Sequence, residues 1–397
     1  MKNNFPVLRN NPEITFLDSA ATMQKPQSVI DIQTDFLENS YAVVWKWNIS
    51  LSKKCEEKIS YSKKYIAEFF WTTEKNFCFT AWTTESINIF VQWMKNFLKK
   101  WDKVLVAAFE HNANFLPWAN LRKEIWIEIE FLKPWKDSLF WIESFKEVFE
   151  KEWSEKIKVA SIFHASNLTW DFFQDIPEIS KFLKEKNVEF FLDCAQTIWH
   201  ERINFDELWI SCSWFSAHKI WWPTWIWGFY LNDELLEVFK PVILWWDSAE
   251  KWDKNDFEFV PWIKKFEAWT PKVDQMIWFW ESVKFFEENF SKVVENEREL
   301  TKYAFEKFWE FKNIQILWTQ DFTKKAWIIS FVIPWFDVKK IWEFFWKENI
   351  SLRTWTHCNC IWNDFLCIPW STRISFAVYN DKKDVDRFFE VLKKMVA

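Results

Sequence analysis

Ser216-Ala217-His218-Lys219-Ile220-Trp221-Trp222-Pro223, residues 216–223, set a lysine beside a histidine and a serine, after an apolar run and before a turn. A lysine is a nucleophile only while its amine is neutral, and partial burial among polar or cationic groups increases that neutral fraction. The motif therefore makes Lys219 a candidate nucleophile. Taken alone, these residues are also compatible with an ordinary lysine in a surface loop.

An acidic residue lies upstream at the end of a predicted strand. Val188-Glu189-Phe190-Phe191-Leu192-Asp193 reads as a buried strand, and Asp193 precedes Lys219 by 219 − 193 = 26 residues. A pyridoxal phosphate (PLP) site needs a carboxylate that keeps the pyridine nitrogen protonated and a lysine that carries the aldehyde. The spacing therefore predicts a PLP site that uses Asp193 and Lys219.

Seven further motifs accompany this pair. They are Phe16-Leu17-Asp18-Ser19-Ala20-Ala21-Thr22, Ala81-Trp82-Thr83-Thr84-Glu85-Ser86, Glu110-His111-Asn112-Ala113-Asn114, His164-Ala165-Ser166-Asn167-Leu168, Phe266-Glu267-Ala268-Trp269-Thr270-Pro271, Arg353-Thr354-Trp355-Thr356-His357-Cys358-Asn359-Cys360 and Thr372-Arg373-Ile374-Ser375. In content and order, from residue 16 to about residue 380, the motifs resemble the cysteine desulfurases of the class V aminotransferase family, PLP fold type I, nearest the SufS-type branch.

The alternation of strand and helix patterns predicts an α/β protein with a mainly parallel sheet and a ligand outside the carboxyl ends of the strands. The resemblance adds PLP fold type I, with a large domain built on a seven-stranded sheet and a smaller α+β C-terminal domain. It implies an N-terminal segment at residues 1–15 that packs with the small domain. The large PLP-binding domain would then span residues 16–275, and the small domain with the catalytic cysteine loop would span residues 276–397.

The resemblance also implies a set of site residues. It implies catalytic roles for Lys219, Cys358 and His111, and substrate contacts from Arg373, Asn167, Ala20 and Ala21. The implied contacts with PLP come from Thr83, Thr84, His111, Asn167, Asp193, Gln196, Ser216, His218, Lys219 and Thr270, of which Thr270 reaches the phosphate in the partner subunit. No metal is implied.

Three of these residues also have chemical support of their own. A helix N-terminus with a threonine hydroxyl favours a phosphate at Thr83, although a plain helix N-cap fits equally. A histidine with a pKa near neutrality suits a proton relay at His111, and the arginine fork suits a substrate carboxylate at Arg373. Each alone could be an ordinary polar loop residue or a surface strand residue.

The nucleophile implied by the resemblance is Cys358, which would attack the sulfur of substrate cysteine and become a persulfide. Only a thiolate is competent, so a neighbouring base or cation is useful, and His357 is the candidate. Two alternatives stay open: a metal site formed with Cys360 and Cys367, and buried structural thiols. Cys360 could also accept the persulfide.

The implied activity is PLP-dependent conversion of L-cysteine to L-alanine, with an enzyme persulfide that feeds iron–sulfur cluster assembly or another sulfur transfer. A selenocysteine lyase or cysteine sulfinate desulfinase on the same scaffold is the alternative. The segment that usually carries His-Arg-Gly reads Trp45-Lys46-Trp47, and Thr356 replaces a histidine. The missing histidine at residues 45–47 keeps open a non-catalytic scaffold that binds sulfur carriers.

The composition contains an anomaly, because 397 residues include 1 glycine and 35 tryptophans. Average usage of about 7% would give roughly 28 glycines. Tryptophans also occupy predicted turns, including Trp82, Trp222, Trp225 and Trp227, where glycine is the favoured residue. We interpret most of these tryptophans as glycines encoded by UGA; the alternative is a truly tryptophan-rich protein.

The remaining features bear on partners and compartment. The formal net charge of −6 indicates no nucleic-acid partner, and neither a signal peptide nor an apolar run of about 18 residues is evident, so no membrane contact is expected. The seven cysteines are read as reduced thiols of a cytoplasmic protein. The resemblance implies a homodimer and a sulfur-acceptor protein.

Overall fold

The computed structural model describes residues 1–44, 49–134, 140–169, 173, 175–197, 200, 203–221, 226–245, 248–267, 272–317 and 327–397. The strands in this part of the chain are β1 (Thr15–Phe16), β2 (Phe77–Thr80), β3 (Lys103–Ala107), β4 (Glu128–Leu132), β5 (Ile157–Phe163), β6 (Glu189–Asp193), β7 (Cys212–Phe215), β8 (Trp227–Leu231), β9 (Ala249–Trp252), β10 (Phe257–Phe259), β11 (Gln315–Ile316), β12 (Ile328–Val332), β13 (Ile350–Ser351), β14 (Arg353–Trp355) and β15 (Ser371–Ser375).

The α-helices in the same residues are α1 (Pro6–Asn10), α2 (Gln27–Asn39), α3 (Ser50–Phe69), α4 (Thr83–Met94), α5 (Asn112–Ile125), α6 (Ile142–Phe149), α7 (Ile176–Glu185), α8 (Asp233–Val238), α9 (Val273–Phe308), α10 (Val338–Lys347), α11 (Trp362–Leu366) and α12 (Lys382–Val396). Among these described helices, none combines the length and the apolarity that crossing a bilayer requires.

The larger sheet has seven strands in the order β2-β8-β7-β6-β5-β3-β4. Strand β8 runs antiparallel to β2 and β7, and every other neighbouring pair is parallel. The prediction of an α/β fold with a mainly parallel seven-stranded sheet is confirmed. Its central strands are apolar along their length, as at Val104, Leu105 and Val106, because helices cover both faces of a parallel sheet.

The smaller sheet is antiparallel, with the order β11-β12-β15-β14. Its core includes Phe331 from β12, Ile374 from β15, Phe345 from α10 and Leu392 from α12. Helix α12 starts with a capping box formed by Asp381 and the residue three positions later, which satisfies backbone donors at that helix end. This α+β unit lies at the C-terminal end of the chain, as predicted.

Helix α9 runs for 36 residues between the elements of the two sheets. The N-terminal segment packs through Phe5, whose ring centroid lies 4.9 Å from that of Tyr379 and 6.2 Å from that of Phe285 on α9. Phe5 therefore contacts both α9 and the loop that follows β15. The domain bounds at residues 15 and 275 stay a prediction.

The tryptophans give mixed support to glycine recoding. Twelve described non-glycine residues have a left-handed backbone, and seven of them are tryptophans at positions 71, 101, 126, 221, 262, 327 and 355. However, Trp82 is extended, with φ −151°, and Trp227 lies in β8. Trp222 and Trp225 lie outside the described residues. The seven tryptophans with a left-handed backbone agree with recoding, whereas the ordinary backbones at Trp82 and Trp227 count against it. Recoding therefore stays a prediction.

Candidate functional site

A cavity of about 300 Å³ lies at the carboxyl ends of the parallel strands. It gathers twelve of the predicted site residues: Ala20, Ala21, Thr83, Thr84, His111, Asn167, Asp193, Gln196, Ser216, His218, Lys219 and Arg373. Strands β5, β6 and β7 end at this edge, so residues far apart in sequence meet there. Cys358 lies next to the cavity, against Arg353 in its wall. Thr270 lies outside the described residues.

Lys219 follows β7 in a short 3-10 helix and is partly buried at the cavity. Burial lowers the pKa of Lys219 to about 8, while the Asp193 carboxylate acts in the opposite direction. The cations Arg373 and Arg353 add to the lowering of this pKa. At neutral pH roughly a tenth of such amines are uncharged, so Lys219 has the neutral fraction that a nucleophile requires.

The cavity wall also includes Asp193 and Gln196. Asp193 is the last residue of β6, and its Oδ1 accepts the Ala195 N–H at 2.8 Å. Burial raises the pKa of Asp193, so a cation placed against this carboxylate would be favoured. Both side-chain polar atoms of Gln196 are buried without a hydrogen-bond partner. Unpartnered buried amide groups are costly, and they fit a site that receives a polar ligand.

His111 is the N-cap of α5 and lines the same cavity. Burial, with smaller contributions from the nearby Lys219 and Arg353, lowers its pKa to about 3. The pKa near neutrality expected from the sequence is therefore wrong for this environment. The Ala113 N–H donates to Nδ1 at 3.1 Å, so the neutral ring carries its proton on Nε2.

The part of the cavity wall at the start of α4 has the chemistry of an anion site. Thr83 and Thr84 are the first two residues of α4, whose N-terminal N–H groups and dipole attract negative charge. The Thr83 hydroxyl donates to the Phe215 carbonyl at 3.2 Å. His218 also lines this region, and burial lowers its pKa to about 3.

Two arginines in the cavity wall lie on neighbouring strands of the smaller sheet. Arg353 on β14 is directly opposite Arg373 on β15, and like charges in that position repel. Arg373 is 1% exposed, donates from Nη1 to the Asn167 carbonyl at 2.7 Å and from Nη2 to Asp18 at 3.1 Å. Its Nε is buried without a partner. The pair therefore favours bound anions.

Cys358 has a different neighbour from the one that the sequence suggested. Arg353 Nη2 lies 2.9 Å from the Cys358 Sγ, where a guanidinium can hold a thiolate through a charge-assisted hydrogen bond. The His357 ring instead bonds to Ser371 at 2.9 Å, is 1% exposed, and has a pKa held well below the usual value by burial. A neutral His357 that faces Ser371 does not supply the cation.

The sequence reasoning assigned no role to Arg353 or Asn112. Arg353 is the first residue of the quoted motif around Cys358, but the register of β14 on β15 and the loop geometry put it against the thiol. Asn112 follows His111 and bonds to the Cys358 carbonyl and to the Cys360 N–H. No sequence signal announces that contact, because 246 residues separate Asn112 from Cys358 (358 − 112).

The other thiols differ in environment. Cys360 and Cys367 are exposed, whereas Cys55, Cys78, Cys194 and Cys212 are buried. Burial raises the pKa of Cys194 to about 12, which makes it an inert core thiol. Within the described residues no group of three or more His, Cys, Asp or Glu side chains is placed to hold a metal ion.

Comparison with known proteins gives the family. The Aminotransferase class-V family model matches residues 15–388. The chain belongs to this family. It is 27% identical over 389 residues to a probable cysteine desulfurase of Pyrococcus abyssi, which covers 97% of this chain and 94% of that protein. It is 28% identical over 395 residues to a probable cysteine desulfurase of Ureaplasma parvum, which covers 99% and 96%.

A solved structure shows the same class V fold. The apo cysteine desulfurase from Thermococcus onnurineus NA1 superposes with a TM-score of 0.92 at 23% sequence identity, covering 100% of this chain and 97% of that one. PLP is the cofactor of class V aminotransferases, so this is a PLP fold type I chain. Four features of this cavity fit PLP. They are the buried Asp193 carboxylate, the unpartnered Gln196 amide, the Lys219 amine with its lowered pKa, and the start of α4.

Proposed function

We propose that the protein is a PLP-dependent L-cysteine desulfurase of the SufS-type branch that releases L-alanine and keeps the sulfur as a persulfide. One observation carries this proposal: a thiol held by Arg353 lies beside a cavity whose wall includes Lys219 and Asp193. A PLP enzyme that moves only amino groups has no need of a thiol there. The relatives named as cysteine desulfurases support the same activity.

Different residues would hold the phosphate and the ring of the cofactor. Thr83, Thr84 and the N-terminus of α4 would take the phosphate, together with Ser216 and His218. Asp193 would face the ring nitrogen, Gln196 and Asn167 the ring hydroxyl, and His111 the ring face. When bound, PLP supplies an aldehyde that accepts an amine and a ring that withdraws electrons.

Several residues of the chain would have separate roles in binding and deprotonating the substrate. The neutral fraction of Lys219 would supply the amine that holds the aldehyde and the base for the substrate Cα proton. Arg373 would bind the substrate carboxylate through its unpartnered Nε, while Asp18 and the Asn167 carbonyl fix its other nitrogens. Ala20 and Ala21 present small side chains at the substrate end.

The sulfur step uses Cys358. Its sulfur attacks the substrate sulfur, an S–S bond forms as the substrate Cβ–S bond breaks, and the carbon skeleton takes up protons to leave L-alanine. The net change is cysteine plus Cys358 thiol to alanine plus Cys358 persulfide. Arg353 stabilises the attacking thiolate, and the Nε2–H of neutral His111 can donate a hydrogen bond in the cavity.

The activity is tested by incubating PLP-loaded protein with L-cysteine and excess dithiothreitol, which reduces the persulfide to thiol and sulfide, and measuring alanine and sulfide together. Equal amounts of both products are expected, and Cys358→Ala should abolish their release. Alanine from selenocysteine or cysteine sulfinate that survives in Cys358→Ala would move the assignment to those substrates. Protein that folds without binding PLP would favour the non-catalytic scaffold that binds sulfur carriers.

We further propose a homodimer, a sulfur-acceptor protein and a cytoplasmic location. The run Val242-Ile243-Leu244 supports a dimer, because its side chains are 52%, 44% and 57% exposed and such runs favour burial against another chain. Sedimentation of Leu244→Arg against wild type tests this proposal. An unchanged dimer would exclude this run from the interface, and a monomeric wild type would exclude the dimer.

A further inference from the structure

The thiol loop, defined here as residues 356–361, has a strained backbone at its centre. His357 and Cys358 have φ values of 53° and 61°, which is the left-handed region. That conformation costs a non-glycine residue about 1–2 kcal/mol. Two such residues in succession persist only where contacts around them hold the loop.

Asn112 supplies two contacts to the chain on the C-terminal side of the nucleophile. Its backbone N–H donates to the Cys358 carbonyl at 2.8 Å, and its side-chain Oδ1 accepts the Cys360 N–H at 2.7 Å. Asn112 is the first residue of α5, immediately after the cavity residue His111. One turn of chain therefore carries both the imidazole that faces the cavity and the contacts that fix the thiol loop.

Two other asparagines complete this attachment. Asn167 donates from Nδ2 to the His357 carbonyl at 2.7 Å, and Asn359 donates its side-chain N–H to the Phe109 carbonyl. Asn167 is itself bound through its carbonyl to Arg373. The backbone on each side of Cys358 is thus tied to segments that follow β3 and β5.

We infer that Asn112 is a positioning residue for the sulfur step, which it serves by holding the thiol loop in the strained conformation that aims Cys358 at the substrate. The inference rests on the proposed desulfurase function. Asn112 is only half-buried and forms the first turn of α5, so removing its side chain does not open the core. The Asn112 backbone contact with the Cys358 carbonyl would survive that change, and the side-chain contact with Cys360 would not.

Two reactions of the same holoenzyme separate positioning from a general structural role. Exchange of the Cα hydrogen of L-alanine with deuterium in heavy water needs the cavity and Lys219 but not the thiol. Single-turnover transfer of sulfur from L-cysteine needs both. Asn112→Ala should slow sulfur transfer about tenfold, which is the loss expected for a misaimed reactive group. The L-cysteine concentration that gives half of the maximal transfer rate and the rate of alanine exchange should both be unchanged.

Asn120→Ala is the matched control, because Asn120 is an exposed asparagine near the other end of α5 that bonds to Glu124. Asn112→Asp keeps the acceptor oxygen and should retain most of the transfer rate. Should Asn112→Ala fold poorly, Asn112→Ser, one bond shorter, replaces it. Equal loss of exchange and transfer, or no loss of either, would overturn the positioning role. A wild type that exchanges alanine but releases no sulfur would instead overturn the desulfurase function.

Discussion

Lys219 shows how one residue obtains its chemistry from opposed electrostatic effects. Burial lowers its pKa to about 8, although Asp193 pulls in the other direction. The fraction of Lys219 that is neutral therefore increases about tenfold per pH unit below pH 8 and levels off above it. We expect the rate at which PLP-free protein takes up PLP to follow that curve between pH 6 and pH 9, measured by absorbance.

The sign of this dependence is set by the free amine, because only the deprotonated form attacks an aldehyde. A surface lysine with its ordinary pKa near 10.4 would give an uptake rate still rising steeply at pH 9. That result, or a rate independent of pH, would contradict the buried environment of Lys219. Lys219→Arg should take up PLP without forming the covalent bond and gives the baseline.

Arg353 is expected to be the residue that activates Cys358. The hydrogen bond from a guanidinium to a thiolate is charge-assisted, and such bonds contribute about 1.5–3 kcal/mol. Arg353→Gln should therefore slow iodoacetamide alkylation of Cys358 at pH 7 by roughly 10- to 100-fold. Mass spectrometry of the Cys358 peptide measures this rate.

Arg387→Gln is the control for Arg353→Gln, since Arg387 bonds only to the carbonyls of Glu13 and Glu348 among the contacts described for it. It should leave the alkylation rate unchanged. If His357→Asn slows alkylation as much as Arg353→Gln does, His357 would be the residue that activates Cys358. The ring contact with Ser371 argues against that outcome.

The sequence predicted individual cavity residues better than their mutual contacts. Lys219, Asp193 and Arg373 were predicted because their motifs occur together and in order, although each motif alone also fits an ordinary loop or strand residue. The pKa of His111 did not follow, because its burial beside three cations is a tertiary property. The contact between Arg353 and Cys358 needed the left-handed turn at residues 357 and 358, which no local pattern encodes.

At the scale of elements, the N-terminus of α4 is expected to contribute to PLP affinity. Thr84 lines the cavity in the first turn of α4, where hydroxyl, N–H groups and dipole all favour a phosphate. Thr84→Val removes the hydroxyl and keeps the shape. A lost hydrogen bond to a charged group corresponds to a PLP Kd raised roughly tenfold or more, measured by equilibrium dialysis.

Thr34→Val is the control for this change. Thr34 lies in α2 and bonds to the Ile30 carbonyl at an exposed position. Its substitution should leave the Kd unaltered. A Thr84→Val protein with wild-type affinity would show that the backbone N–H groups of α4 suffice, and that Thr84 belongs to the helix cap alone.

Helix ends also test the conformational cost of the tryptophans. Trp126 closes α5 with φ 64°, and Trp346 lies within α10; both are 63% exposed. Glycine is favoured at a left-handed helix end and costs about 1 kcal/mol inside a helix. Trp126→Gly should therefore raise the free energy of unfolding by about 1 kcal/mol, and Trp346→Gly should lower it similarly. Urea titration measures both, and the same sign for both would contradict this account.

For the whole molecule, the site depends on both sheets. Asp193 and Lys219 follow strands of the larger sheet, whereas Arg353 and Arg373 lie on strands of the smaller one. The order of motifs along the chain predicted the two sheets, since each strand pattern is local. It could not predict how the thiol loop meets α5, because that contact closes over more than two hundred residues. The arrangement of the site residues from both sheets is therefore a property of the complete chain.

The composition of the whole chain leads to the last prediction. A left-handed backbone at seven tryptophans would cost about 1–2 kcal/mol at each, a large total for a protein whose net stability is about 5–15 kcal/mol. Glycine at these positions removes that cost. We therefore expect the intact mass of the protein purified from its native cells to match glycine at most of the 35 positions. A mass that matches 35 tryptophans would contradict the recoding, and peptide mapping would show whether buried Trp118 and the extended Trp82 are true tryptophans.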